Sequence, residues 1–149
     1  MEEKTRQLAE DLLRTLIQFN RMNIHRSLVG GLKRSEFIFL STLTHLVQSG
    51  AKGVKVSSLS NQMEVTPAAV THILNAMEET GYVERIADPA DRRIVLIRPT
   101  ETGEELMTTA KSRLFAALEG LVEYLGEEDS QELIRLLAVT MDYYRERVE

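Results

Sequence analysis

No cysteine occurs in the sequence. That excludes disulfides, thiolate metal sites, cysteine nucleophiles and sensing by thiol oxidation. Tryptophan is absent too, and aromatic residues make up only 5% of the chain, so its core must be mainly aliphatic. There are three histidines, His25, His45 and His72, each in a different helical segment, and no set of convergent metal ligands is apparent. No run of 18 apolar residues exists, and the polar start Met1-Glu2-Glu3-Lys4 has no targeting pattern. The chain therefore reads as cytoplasmic, with no membrane partner. The motifs H-E-x-x-H, G-x-S-x-G, G-x-G-x-x-G and the P-loop are all missing, so neither an enzyme nor a cofactor is expected. Ser49-Gly50-Ala51-Lys52 spells S-x-x-K but lacks the other parts of that machinery.

Positive charge is also scarce. Eighteen Lys and Arg stand against 23 Asp and Glu, a net charge of −5 that argues on its face against nucleic acid. The imbalance is segregated, however. Residues 99–149 carry 12 acidic and 5 basic side chains, whereas residues 1–98 sum to +2. A net charge distributed this way is a weak veto.

What the sequence does contain is one domain's worth of chain, 149 residues, of which 43% are hydrophobic. Helical periodicity runs from about Glu3 to Arg26, with Leu8, Leu12, Leu16 and Phe19 on one stripe and Leu13, Ile17 and Ile24 on a second. Two apolar stripes want two partners. A second helix runs from about Ser35 to Gln48. Ser57 caps a short helix with Leu59 and Met63 inward. Thr66 caps the next, with Pro67 at its first position, and this helix runs to Thr80 and stops at Gly81. Tyr82–Ile86 and Arg93–Arg98 alternate like strands around the polar tip Asp88-Pro89-Ala90-Asp91-Arg92, an antiparallel hairpin. Thr100 caps a long helix ending near Gly126, and a last helix starts around Asp129. The expected class is mainly α with a small β-hairpin.

Two short helices followed by a hairpin make a winged helix-turn-helix. On the helix Thr66–Thr80, at 100° per residue, Val70, Ile73, Leu74 and Met77 fall on one side. Ala68, His72, Asn75 and Glu79 lie opposite, with Thr71 on the flank. Small and polar side chains over the first two turns suit entry into a major groove: Thr and Ala can touch thymine methyls, and Asn can pair with adenine. The Thr66 hydroxyl and the free N–H groups after it suit a phosphate. On this helix alone, an ordinary solvated face is an equal reading. Arg92 and Arg93 at the hairpin tip favour the DNA reading, because narrow minor grooves attract arginine.

The run Leu59-Ser60 … Val65-Thr66-Pro67-Ala68-Ala69-Val70-Thr71 … Met77-Glu78-Glu79-Thr80-Gly81-Tyr82-Val83-Glu84-Arg85, then Asp88-Pro89-Ala90-Asp91-Arg92-Arg93 and Thr100-Glu101-Thr102-Gly103, resembles the MarR family of bacterial transcriptional regulators. The resemblance implies a homodimer on double-stranded DNA with a palindromic operator. Residues 1–30 and 100–149 would form a helical dimerisation lobe, and 33–99 the DNA-binding lobe. Ser57, Thr66, Pro67, Ala68, Thr71, His72 and Asn75 would lie in or near the major groove. Arg92 of the wing Asp88–Arg93 would enter the minor groove while Asp91 and Arg93 hold its shape, though either arginine could be the one inserted. The family also implies a pocket for a small lipophilic or aromatic acid, with Met22, His25, Phe37 and Leu40 as candidate lining, and a ligand-responsive repressor as the function.

Four positions depart from the family pattern. Ser60 replaces a frequent Ala, Glu64 occupies a turn position where Gly is common, His72 stands where many members have Arg, and Pro99 precedes Thr100. Histidine in place of arginine weakens the cationic grip, so modest affinity with strong salt dependence and some pH dependence is expected. Two alternatives remain. A metal-responsive regulator of the same fold would use His25, His45 and a carboxylate such as Glu36. A winged-helix module for protein contacts would need an apolar exposed face on Thr66–Thr80, where the sequence is polar.

Overall fold

Each predicted apolar periodicity becomes an element of the computed structural model, which describes residues 2–22, 29, 31–48 and 50–147. Among these, helices α1 (Glu2–Arg21), α2 (Arg34–Gln48), α3 (Val56–Met63) and α4 (Pro67–Glu79) precede strands β1 (Val83–Ala87) and β2 (Val95–Pro99). Helices α5 (Glu101–Leu125) and α6 (Glu127–Arg145) follow. The predicted extension of the first helix to Arg26, including Ile24 and His25, lies outside the described residues, as do Gly30 and Ser49. No described helix is long and apolar enough to cross a membrane.

The chain divides into two compact units, Met1–Lys111 and Ser112–Glu149. The aliphatic core lies in the first. Phe39, Leu40 and Leu43 of α2, Leu59 of α3, Val70, Leu74 and Met77 of α4, Val83 of β1, Ile97 of β2 and Met107 of α5 are all fully buried there. Helix α2 packs against α3, α4 and β2, and α4 packs against β1. The predicted stripes on α1 behave differently: none of its described residues is buried.

The hairpin is antiparallel, with Val83 opposite Pro99 and Ala87 opposite Val95. Glu84 and Arg98 face each other and pair at 2.6 Å. Both strands sit later than the sequence pattern suggested. Arg93 and Ile94 are taken up by the tip turn, where the Ile94 N–H donates to the Asp91 carbonyl, so β2 starts only at Val95. Pro99 closes the ladder, in the terminal position where a missing N–H is tolerated. Val54 adds a one-residue bridge to Ile97, with 2.8 Å bonds in both directions. Gly53 makes this approach feasible, because a Cβ there would lie 2.9 Å from Leu96 Cβ.

Two expected helix starts need correction. Ser57 does not cap α3. The N-cap is Lys55, and its side chain makes no capping bond. Val56 packs against the core and draws the helix start towards itself. Helix α6 begins at Glu127, with Glu127, Glu128 and Asp129 in its first turn, where acidic groups favour the positive helix end.

Candidate nucleic-acid interface

Local sequence builds the helix-turn-helix. Helix α3 ends at Glu64, which adopts the left-handed conformation (φ 54°, ψ 40°) that a Gly would adopt more cheaply. Ser60, the departure beside it, stabilises that turn. It is buried, its hydroxyl donates to the Val65 carbonyl at 2.8 Å, and its own carbonyl accepts from the Val65 N–H at 3.1 Å. One small polar residue thus fastens both sides of the turn, a role its spacing in sequence did not reveal.

Helix α4 then starts as the sequence indicates. The Thr66 hydroxyl accepts from the Ala69 N–H at 3.2 Å, with Pro67 next. Val70, Leu74 and Met77 are buried, and Ile73 packs against them. Thr66, Pro67, Ala68, Thr71, His72 and Asn75 are all exposed. The Thr71 hydroxyl donates to the Pro67 carbonyl, which turns its methyl group to a fixed orientation. Ser57 is exposed in the first turn of α3.

The wing tip separates the two arginines that the sequence left open. Arg93 makes a two-pronged pair with Asp91, Nε to Oδ1 at 3.0 Å and Nη2 to Oδ2 at 2.8 Å, and its backbone N–H also donates to Oδ1. These bonds from Arg93, with Lys55 nearby, hold the Asp91 carboxyl below the usual carboxylate range. Asp88 braces the other side of the tip through Ala90 N–H. Arg92 is exposed and, among the described residues, forms no ion pair. So Arg93 shapes the tip, and Arg92 is its available cation.

A third arginine, Arg85, joins the wing to α4. Its guanidinium donates to Glu78 Oε2 and, at 2.8 Å, to Asn75 Oδ1. Sequence spacing gives no sign of this contact, because it links a helix to a strand rather than neighbours on one element.

Leu40 is fully buried in the core, Phe37 packs against that core, Met22 is exposed just after α1, and His25 lies outside the described residues. Among the described residues, Glu2, Glu3, Arg6, Gln7 and Glu10 line one surface depression, and Phe115, Leu118, Glu119, Val122 and Glu123 line another. Among the described residues no three His, Asp or Glu side chains converge as metal ligands. Glu36 and His45 stand nine residues apart on α2, about 13 Å along its axis.

Residues 39–95, from α2 through the wing, match the MarR family model. This chain belongs to the MarR family. Two curated relatives are the uncharacterized HTH-type transcriptional regulators YdgJ and YpoP of Bacillus subtilis. YdgJ is 30% identical over 108 residues, 72% of this chain and 63% of its own length. YpoP is 34% identical over 98 residues, 66% of each chain. The chain thus spans just under two thirds of the length of these relatives. Among solved structures, the YusO protein of B. subtilis superposes with a TM-score of 0.70 at 23% identity, covering 91% of this chain and 96% of its own. FabT of Streptococcus pneumoniae, solved in complex with DNA, gives 0.69 at 21% identity, covering 96% and 99%. The fold is the winged helix-turn-helix of MarR structures.

Proposed function

We propose that this MarR-family chain is a sequence-specific DNA-binding transcriptional regulator without enzymatic activity, acting in the cytoplasm as a homodimer on a palindromic operator. The observation that carries the reading is the division of α4. One side supplies Val70, Leu74 and Met77 to the core, and the other presents only small or polar groups, with Arg92, which forms no ion pair among the described residues, on the neighbouring wing. That is the equipment for a helix in the major groove and an arginine in the minor groove. FabT, a structural neighbour, was crystallised with DNA, which agrees with it.

The dimer rests on apolar surface. On α1, Leu8, Leu12 and Leu16 are each 55% exposed or more, and α6 exposes Ile134, Leu137 and Met141. Faces of this kind usually pack against another chain, and a second copy satisfies them by symmetry. In this reading residues 1–30 and 100–149 form the dimerisation lobe and 33–99 the DNA-binding lobe. The balance of −7 in residues 99–149 keeps that part of the molecule away from phosphate.

Repression that responds to a small lipophilic or aromatic acid is the mode of action that the family resemblance supports. A mobility-shift assay on the DNA upstream of the chain's own gene tests the binding claim. A retarded complex that survives excess unrelated DNA is expected, and no complex at low salt contradicts it. Light scattering tests the dimer: twice 16.9 kDa is expected, and a monomer contradicts it.

A further inference from the structure

The Glu78–Gly81–Arg85 part of the family pattern has no role in the DNA contacts proposed above, yet it reaches one of their side chains. Arg85 lies on β1 and is about one-third exposed. It bridges to two residues of α4 in consecutive turns, Glu78 Oε2 and Asn75 Oδ1. A guanidinium has donors only, so the amide atom it meets must be the oxygen of Asn75. The Asn75 NH2 group is therefore turned away from the wing. Glu78 in turn holds the guanidinium by charge, which keeps Arg85 from swinging free.

We infer that Arg85 is a specificity-determining residue acting through Asn75, resting on the DNA-binding reading above. With Oδ1 held by Arg85, the outward part of Asn75 is a hydrogen-bond donor in a fixed direction. A fixed donor suits a base edge with acceptors, such as guanine N7 and O6 or thymine O4. It opposes cytosine, whose major-groove group is the N4 amino donor. The exposed amide alone, free to rotate, would offer either end and discriminate poorly. Arg85 itself is a positioning residue: it sets the direction in which Asn75 reads.

In vitro selection from a randomised duplex library tests this with the full chain, comparing wild type, Arg85→Met, Asn75→Ala and the double variant. Wild type is expected to disfavour cytosine about tenfold at one position of each half-site. Arg85→Met should cut that preference to about twofold at the same position as Asn75→Ala, and the double variant should add nothing. If Arg85→Met does not fold, Arg85→Lys serves the comparison, since an ammonium lacks the planar fork that spans Glu78 and Asn75. Uniformly weakened binding with unchanged base preference in the arginine variant overturns the inference. So does an Asn75→Ala variant that alters no position. If wild type itself enriches no sequence, the DNA-binding reading fails and this inference with it, a pattern distinct from the other two.

Discussion

Gly103 lies so close to Tyr82 that a Cβ on the glycine would sit 2.0 Å from the Tyr82 carbonyl oxygen. The same carbonyl accepts from the Thr100 N–H, and the Thr100 hydroxyl donates to the Gly81 carbonyl at 2.6 Å while accepting from Gly103 N–H. The T-x-x-G motif is thus a clamp that fastens the start of α5 to the base of the wing. Gly103→Ala should force the two apart and destabilise the fold by about 1–3 kcal/mol. A lower urea midpoint checks this, and an unchanged midpoint would mean that the close approach is not needed.

The two wing arginines should separate experimentally. Arg92→Ala is expected to leave thermal stability unchanged, because the side chain has no ion-pair partner among the described residues. It should weaken DNA binding and lower the salt slope by about one charge. Arg93→Ala should weaken binding by loosening the tip, and Asp91→Asn should share that effect because it removes the other half of the same pair. Melting curves and salt titrations of the three variants distinguish these roles.

Asp91 should titrate below the ordinary carboxylate value of 3.8, held down first by the Arg93 side-chain bond. Because its folded value is depressed, the contribution of the pair is fully present above 3.8. It is lost as pH falls through the lower, folded value. An NMR titration of the Asp91 carboxyl carbon should therefore have its midpoint below 3.8, and Arg93→Ala should return it towards the ordinary value.

His72→Arg should tighten binding to all DNA sequences and raise the salt slope by about one, since it adds a cation on the exposed face of α4. Anisotropy titrations at several salt concentrations check it. A change confined to one base pair, with the slope unaltered, would indicate base reading at this position instead.

Much of the scaffold was legible because its signals are local. The Thr66 cap, Pro67 at the first helical position and the 3.6-residue spacing of Val70, Leu74 and Met77 define α4 within thirteen residues. The features that escaped are contacts across elements. Arg85 meets Asn75 from another element, Val54 bridges to Ile97 from far away in sequence, and Ser60 closes a turn whose shape is set by Glu64. Alternation likewise could not say that Arg93 belongs to the tip rather than to β2, because its bond to Asp91 competes with the ladder. Apolar stripes on α1 announced burial, but none of its described residues is buried.

DNA recognition through the wing is tested by the binding of wild type and Arg92→Ala to DNA from upstream of the gene, measured by anisotropy across a series of salt concentrations. Wild type is expected to bind specifically, with affinity that falls steeply with salt, and Arg92→Ala to bind about tenfold more weakly with a shallower slope. Equal affinity and slope for the two proteins, or no binding by wild type at low salt, would contradict it.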